Sequence, residues 1–179
     1  MKRLPYTILV VVATLGALGI GAGVFVESGL YNMGADDHHT KLVFAILEQL
    51  RERSIAAHAG GITPPSDLAA DTRIAAGARR YATLCTGCHL APGLTHSQVR
   101  TGLYPHPPNL AQAEIDAAPK TFWVIKHGLK MSAMPAWGKS LDDGAVWDLV
   151  AFVRELPDLT PEAYHTLSQG TAGATGNEP

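Results

Sequence analysis

Cysteine is scarce in this 179-residue chain: it has two, Cys85 and Cys88. A disulfide framework holding a small domain together is thereby excluded, and so is a four-cysteine zinc site. Charge is sparse as well. Asp, Glu, Lys and Arg make up 17% of the residues, the formal net charge is −2, and no long run of one sign occurs. No nucleic acid is expected as a partner on that basis. Internal repeats are absent, and no credible run alternates apolar and polar residues. The expected fold is therefore all-α.

The two cysteines stand in Cys85-Thr86-Gly87-Cys88-His89. Cys-x-x-Cys-His is the spacing of a c-type haem attachment site. The two thiols add to the haem vinyl groups as thioethers, and the following histidine becomes the proximal iron ligand. One covalently attached haem c on Cys85, Cys88 and His89 is the expectation. Two other chemistries use such a pair. Structural zinc needs four protein ligands, and the other seven histidines are scattered. A redox dithiol of the thioredoxin kind follows a strand, whereas this pair follows a helical pattern.

Met1-Lys2-Arg3 is basic, and Leu4 to Val26 then carries no charge. As a helix that stretch spans roughly 34 Å, enough for a hydrocarbon core of about 30 Å. It exceeds the apolar region of an ordinary cleaved signal peptide and ends without a clear Ala-x-Ala. The reading is a retained transmembrane anchor over 1–26. Lys2 and Arg3 would sit in the cytoplasm and the rest of the chain on the periplasmic side of a bacterial inner membrane. Gly19 and Gly23 form a Gly-x-x-x-Gly pair, the spacing at which another transmembrane helix approaches closely.

Residues 27–70 read as an exit loop, an amphipathic helix and a linker. The helix is expected over 36–58, capped by Asp36 or Asp37, with Leu42, Val43, Ile46, Leu47 and Leu50 on one face. That stripe predicts docking on the chain's own domain or on a partner, with Leu42, Ile46 and Leu50 central. Lying along the membrane surface is the competing fate. His38 and His39 diverge on a helix and read as solvated polar residues. Residues 71–157 read as the haem domain. Its helices run from Asp71 or Thr72 to Leu84, from Thr121 to His127 before Gly128, and from Asp142 or Asp143 to Leu156 before Pro157. Residues 90–118 read mainly as loops, and 158–179 as a flexible tail.

A haem that transfers electrons needs a second strong axial ligand, and a methionine thioether raises its potential relative to histidine. Met131 and Met134 both lie in the loop before the last helix, and His127 is a further alternative. Pro135 stiffens the backbone beside Met134. On the proximal side, Pro92 either offers a carbonyl to the other imidazole nitrogen or is simply a turn residue before Gly93. Tyr104 and Trp137 either bind haem propionates or simply pack. Lys120, Lys126, Lys130 and Lys139 suggest a basic rim for an acidic partner, or an ordinary solvated surface.

From Ile74 to Leu156 the chain resembles class I c-type cytochromes, as a monohaem, membrane-anchored bacterial example. Gly77-x-x-x-Tyr81, Cys85-x-x-Cys88-His89 and Met134-Pro135 followed by the last helix carry the resemblance. It implies a small all-α fold around one covalent haem, with the first and last helices crossing at Gly77 and near Trp147 or Val150. It implies Met134 as the distal ligand and Leu110 packing on the haem. It also implies one-electron transfer between redox protein partners, as a carrier and not an enzyme. The alternative role is a fixed haem subunit of a membrane dehydrogenase or oxidase. A gas sensor or haem enzyme is a third, for which no distal His–Arg pair is evident.

Overall fold

A computed structural model describes residues 3–170, with side chains from Pro5 onward. Lys2 of the basic leader and the end of the expected tail, 171–179, lie outside the described residues. The chain divides into two units between Asp37 and His38.

The first unit is built on α1, Arg3–Glu27. Its uninterrupted apolar residues face outward all round, so nothing within the unit buries them. Among the described residues it is the one helix long and apolar enough to cross a membrane. The helix ends as Ser28 N–H donates to Val24 O and Gly29 turns left-handed at φ 64°.

The second unit holds α2 (Lys41–Ala59), α3 (Asp71–Leu84), α4 (Thr86–His89), α5 (Gln98–Thr101), α6 (Ala118–His127), α7 (Asp143–Glu155) and α8 (Pro161–Gln169). No strand forms among the described residues, as expected; one isolated bridge joins Ala91 and Leu94.

The centre is the crossing of α3 over α7. A Cβ on Gly77 would strike the Asp148 carbonyl and lie 2.7 Å from Phe152 Cβ, so glycine is what lets the two backbones touch. The contact falls on Asp148 and Phe152, beside the expected Trp147 and Val150. Arg73 and Arg80 close over the joint, each 2.9 Å from an Asp148 carboxylate oxygen. Tyr81, Val146, Leu149, Val150, Phe152 and Leu156 are fully buried around it. Each such side chain contributes roughly 1.5–3 kcal/mol. Asp142 caps α7, accepting from Ala145 N–H at 2.7 Å. Helix α6 starts at Ala118, ahead of the expected Thr121, because Pro119 suits a first turn.

Helix α2 begins at Lys41, later than expected. Asp37 is held in a turn with Gly34, and Thr40 supplies the cap to Val43 N–H. It does dock, on α6, but through a different face. Ile55 and Ala59 are buried and the His58 ring lies 5.6 Å from Trp123. Leu42, Ile46 and Leu50, expected to be central, are 70%, 56% and 62% exposed. Upstream, His38 stacks on Tyr104 with ring centroids 4.4 Å apart, and His39 N–H donates to the Tyr104 hydroxyl.

The described part of the segment read as a flexible tail holds a helix. Thr160 caps α8, Pro161 opens it, and Tyr164 and Leu167 pack on the core beside α3. Two apolar residues on one face suffice to dock so short a helix once its first turn is capped.

Candidate haem site

Helix α3 runs directly into the Cys85–His89 turn. Cys85 N–H donates to Tyr81 O at 2.9 Å; Cys88 and His89 N–H both donate to Cys85 O, at 3.0 and 2.9 Å. Both thiols and the imidazole thus stand on one helical turn, where residues three and four apart are neighbours. The turn stops at Leu90, which takes φ 61°, a costly value for a non-glycine residue. The buried Tyr81 hydroxyl offsets that cost by donating to Leu90 O at 2.8 Å.

His89 is half-buried, and its Nδ1 lies 3.0 Å from Pro108 O. A carbonyl only accepts, so Nδ1 carries the proton and Nε2 keeps its lone pair. The partner is Pro108, not the expected Pro92, because the 107–110 loop folds back over the turn. Leu110 N–H also donates to His89 O at 3.1 Å. Burial lowers the His89 pKa, the Pro108 bond opposes this, and Arg100 adds to it. Burial and Arg100 both favour the neutral imidazole. Cys85 and Cys88 are half-buried with no disulfide between them. Burial, then Cys88, pushes the Cys85 thiol up to about 12, so it is protonated.

Residues 128–135 form a closed loop. Gly128 has φ 64°, and a Cβ there would sit 2.6 Å from the Pro135 carbonyl carbon. Leu129 N–H donates to Met134 O at 3.3 Å. Ser132 Oγ donates to Leu129 O at 2.7 Å and accepts from Met134 N–H at 3.2 Å. Met134 is half-buried against the core; Met131, at φ 57°, is 72% exposed. His127 is exposed, its ring 5.0 Å from Trp123.

A family model described as cytochrome c oxidase, cbb3-type, subunit III matches residues 72–153, just under half of the chain. No curated protein and no solved structure matches. Residues 72–153 are a class I c-type cytochrome domain. The match spans α3 to α7 with the Cys85–His89 turn and the Met134 loop, and leaves out α1, α2 and α8.

Haem c is the group such a domain carries, and the residues present fit it. Two thiols, an imidazole with a free Nε2 and a half-buried thioether make a suitable donor set. Arg100 supplies an independent sign. Its Nη2 donates to Pro107 O at 2.9 Å, while its Nε is buried without a partner, as expected of a cation awaiting an acid group. Among the described residues no group of three His, Cys, Asp or Glu side chains is placed to hold a metal ion.

The resemblance placed Pro107-Pro108-Asn109-Leu110 beside the haem without assigning the Pro108 carbonyl to His89, and sequence reasoning missed the roles of Arg100, Gly128 and Ser132. Gly128 carried a signal as a helix stop, and Ser132 none. Of the expected lysine rim, Lys126 pairs with Asp143 at 2.6 Å and Lys120 with Asp116 at 3.4 Å, leaving Lys130 and Lys139 exposed. Tyr104 is engaged by His38 and His39, and Trp137 packs on the core.

Proposed function

We propose that this chain is a membrane-anchored electron carrier with one haem covalently bound by Cys85 and Cys88, and with His89 and Met134 as axial ligands. When bound, the haem iron supplies one-electron cycling between Fe(II) and Fe(III). The chain's own residues fix the rest. The observation that carries the reading is the Nδ1–H···O=C bond from His89 to Pro108. It aims Nε2 and makes the imidazole a better donor, in the way outer partners tune metal-binding histidines. Arg100 is suited to a haem propionate. Domain boundaries follow as proposed: anchor 1–26, connecting segment 27–70 and haem domain 71–157, with α8 added at its end. The anchor holds the domain on the periplasmic face of a bacterial inner membrane, where it meets redox protein partners.

Denaturing electrophoresis followed by haem staining tests the attachment. Colour should stay on the polypeptide and vanish in Cys85→Ala/Cys88→Ala. Haem that acid–acetone extracts from the wild-type chain sinks covalent binding.

A second reading is a fixed haem subunit of a membrane oxidase or dehydrogenase. The exposed Leu42, Ile46 and Leu50 stripe favours it, as does a matched family described as an oxidase subunit. Purification in mild detergent separates the two. A complex that survives in the wild type and falls apart in Leu42→Ser/Ile46→Ser/Leu50→Ser identifies a subunit; a free wild-type chain identifies a carrier.

A further inference from the structure

Helix α8 lies outside the matched domain, yet it touches the Cys85–His89 turn. It packs along α3. Its first residue, Pro161, brings Cβ to 3.2 Å from where a Cβ on Gly93 would stand, just beyond the turn. Its fourth residue, Tyr164, places its hydroxyl 3.1 Å from Thr86 Oγ1, inside the turn itself. The direction of that bond is fixed by its neighbour. Thr86 Oγ1 donates its single proton to Tyr81 O at 3.1 Å, so the Tyr164 hydroxyl must be the donor to Thr86.

The chain of bonds has a purpose in geometry. Tyr81 O receives both Cys85 N–H and the Thr86 hydroxyl, while the Tyr81 hydroxyl holds Leu90 O. Tyr81 therefore grips the turn at its entry and its exit. Tyr164 is the one link in this set that reaches the turn from outside α3, and its ring is seated 6.2 Å from Phe152 of α7.

We propose that α8 clamps the haem-attachment turn, with Tyr164 a positioning residue acting through Thr86 on the orientation of His89. The clamp's effect on a haem ligand rests on the haem reading above. The clamp itself is tested without it.

The experiment is amide hydrogen exchange on the full-length protein in detergent, with Tyr164→Phe, Thr86→Val and Thr86→Ser. The first two keep the packing and remove a hydroxyl; the third keeps the hydroxyl. Tyr164→Phe and Thr86→Val should each speed exchange at Cys88, His89 and Leu90 about five-fold, the factor one ordinary hydrogen bond is worth. Val150 and Phe152 in α7 should exchange at the wild-type rate, and Thr86→Ser should behave as wild type. In haem-bearing protein the hyperfine-shifted His89 ring resonances should move in the same two variants. Unchanged exchange at the turn overturns the clamp. So does equal acceleration in α7, which marks general loosening, or a Thr86→Ser protein that behaves like Thr86→Val. Wild-type protein without bound haem would remove the haem reading and still leave exchange to decide the clamp.

Discussion

The two sides of the proposed haem site are held in opposite ways. His89 is fixed by contacts from three separate stretches: Tyr81 beneath the turn, Pro108 and Leu110 over it, and Tyr164 through Thr86. Met134 is fixed by its own loop. Ser132, Leu129 and Gly128 all lie within six residues of it, and they bind one another as much as they bind the core. A support spread over three stretches loses a fraction when one residue changes. A loop tied to itself can open at a single point. The distal side is thus where single substitutions should act most, and where ligand exchange should begin.

The largest effect is expected from the proposed ligand itself. Met134→Ala should abolish the weak sulfur-to-iron absorption band and open the iron to carbon monoxide. Met131→Ala should do neither, since that side chain faces solvent. Reversed results would move the ligand to Met131. Next comes Gly128→Ala, which forces a Cβ into the Pro135 backbone at a left-handed position. Strain and overpacking together should cost roughly 2–4 kcal/mol in denaturant unfolding. The sulfur–iron band should weaken with it. An unchanged band and midpoint would show that the loop is not tied at Gly128.

The same contrast explains what could be read from sequence. The Cys85–His89 turn was legible because covalent chemistry demands that spacing. The loop that locks it was placed beside the haem only by resemblance, and the locking atom was not legible, because Pro108 contributes a backbone carbonyl that has no side-chain signature. Helix α7 was legible in Asp142 at one end and Pro157 at the other. Helix α8 carried its own signal, Thr160-Pro161 followed by Tyr164 and Leu167, but the small polar residues around it hid the pattern. Helix α2 is the instructive error. Its first half is apolar on two faces, Leu42-Ile46-Leu50 and Val43-Phe44-Leu47, and periodicity cannot choose between them. The choice is made further along, where Ile55, His58 and Ala59 meet α6.

Acid should act through the proximal side. Burial is the main reason the His89 pKa lies below its ordinary value, with the Pro108 bond opposing and Arg100 adding. For an imidazole lowered on folding, the stabilisation is fully present above the unfolded value of about 6.5. It is lost as the pH falls through the folded value. Iron bound at Nε2 would compete with the proton in the same direction. The Met134 thioether takes up no proton in this range. An acid titration of the holoprotein should leave the His89 ring resonances constant from pH 8 to about 6.5 and lose them only below it. Loss on raising the pH instead would contradict the neutral-ligand assignment.

Ser132→Ala should have the smallest effect and gives the finest comparison. The hydroxyl makes both of its bonds inside the loop, one to Leu129 O and one from Met134 N–H. The loop is half-exposed, so water can replace those bonds, and the loss should be about 0.5–1.5 kcal/mol or less. What distinguishes a self-tied loop is where that small cost appears. It should fall on local opening, raising the carbon monoxide association rate several-fold while the denaturant midpoint barely shifts. Ser132→Thr, which keeps the hydroxyl, should bind carbon monoxide at the wild-type rate. If Ser132→Ala instead lowers the midpoint and leaves carbon monoxide binding unchanged, the loop opens only when the whole domain does. Met134 would then be held by the core, and the two sides would not differ as argued.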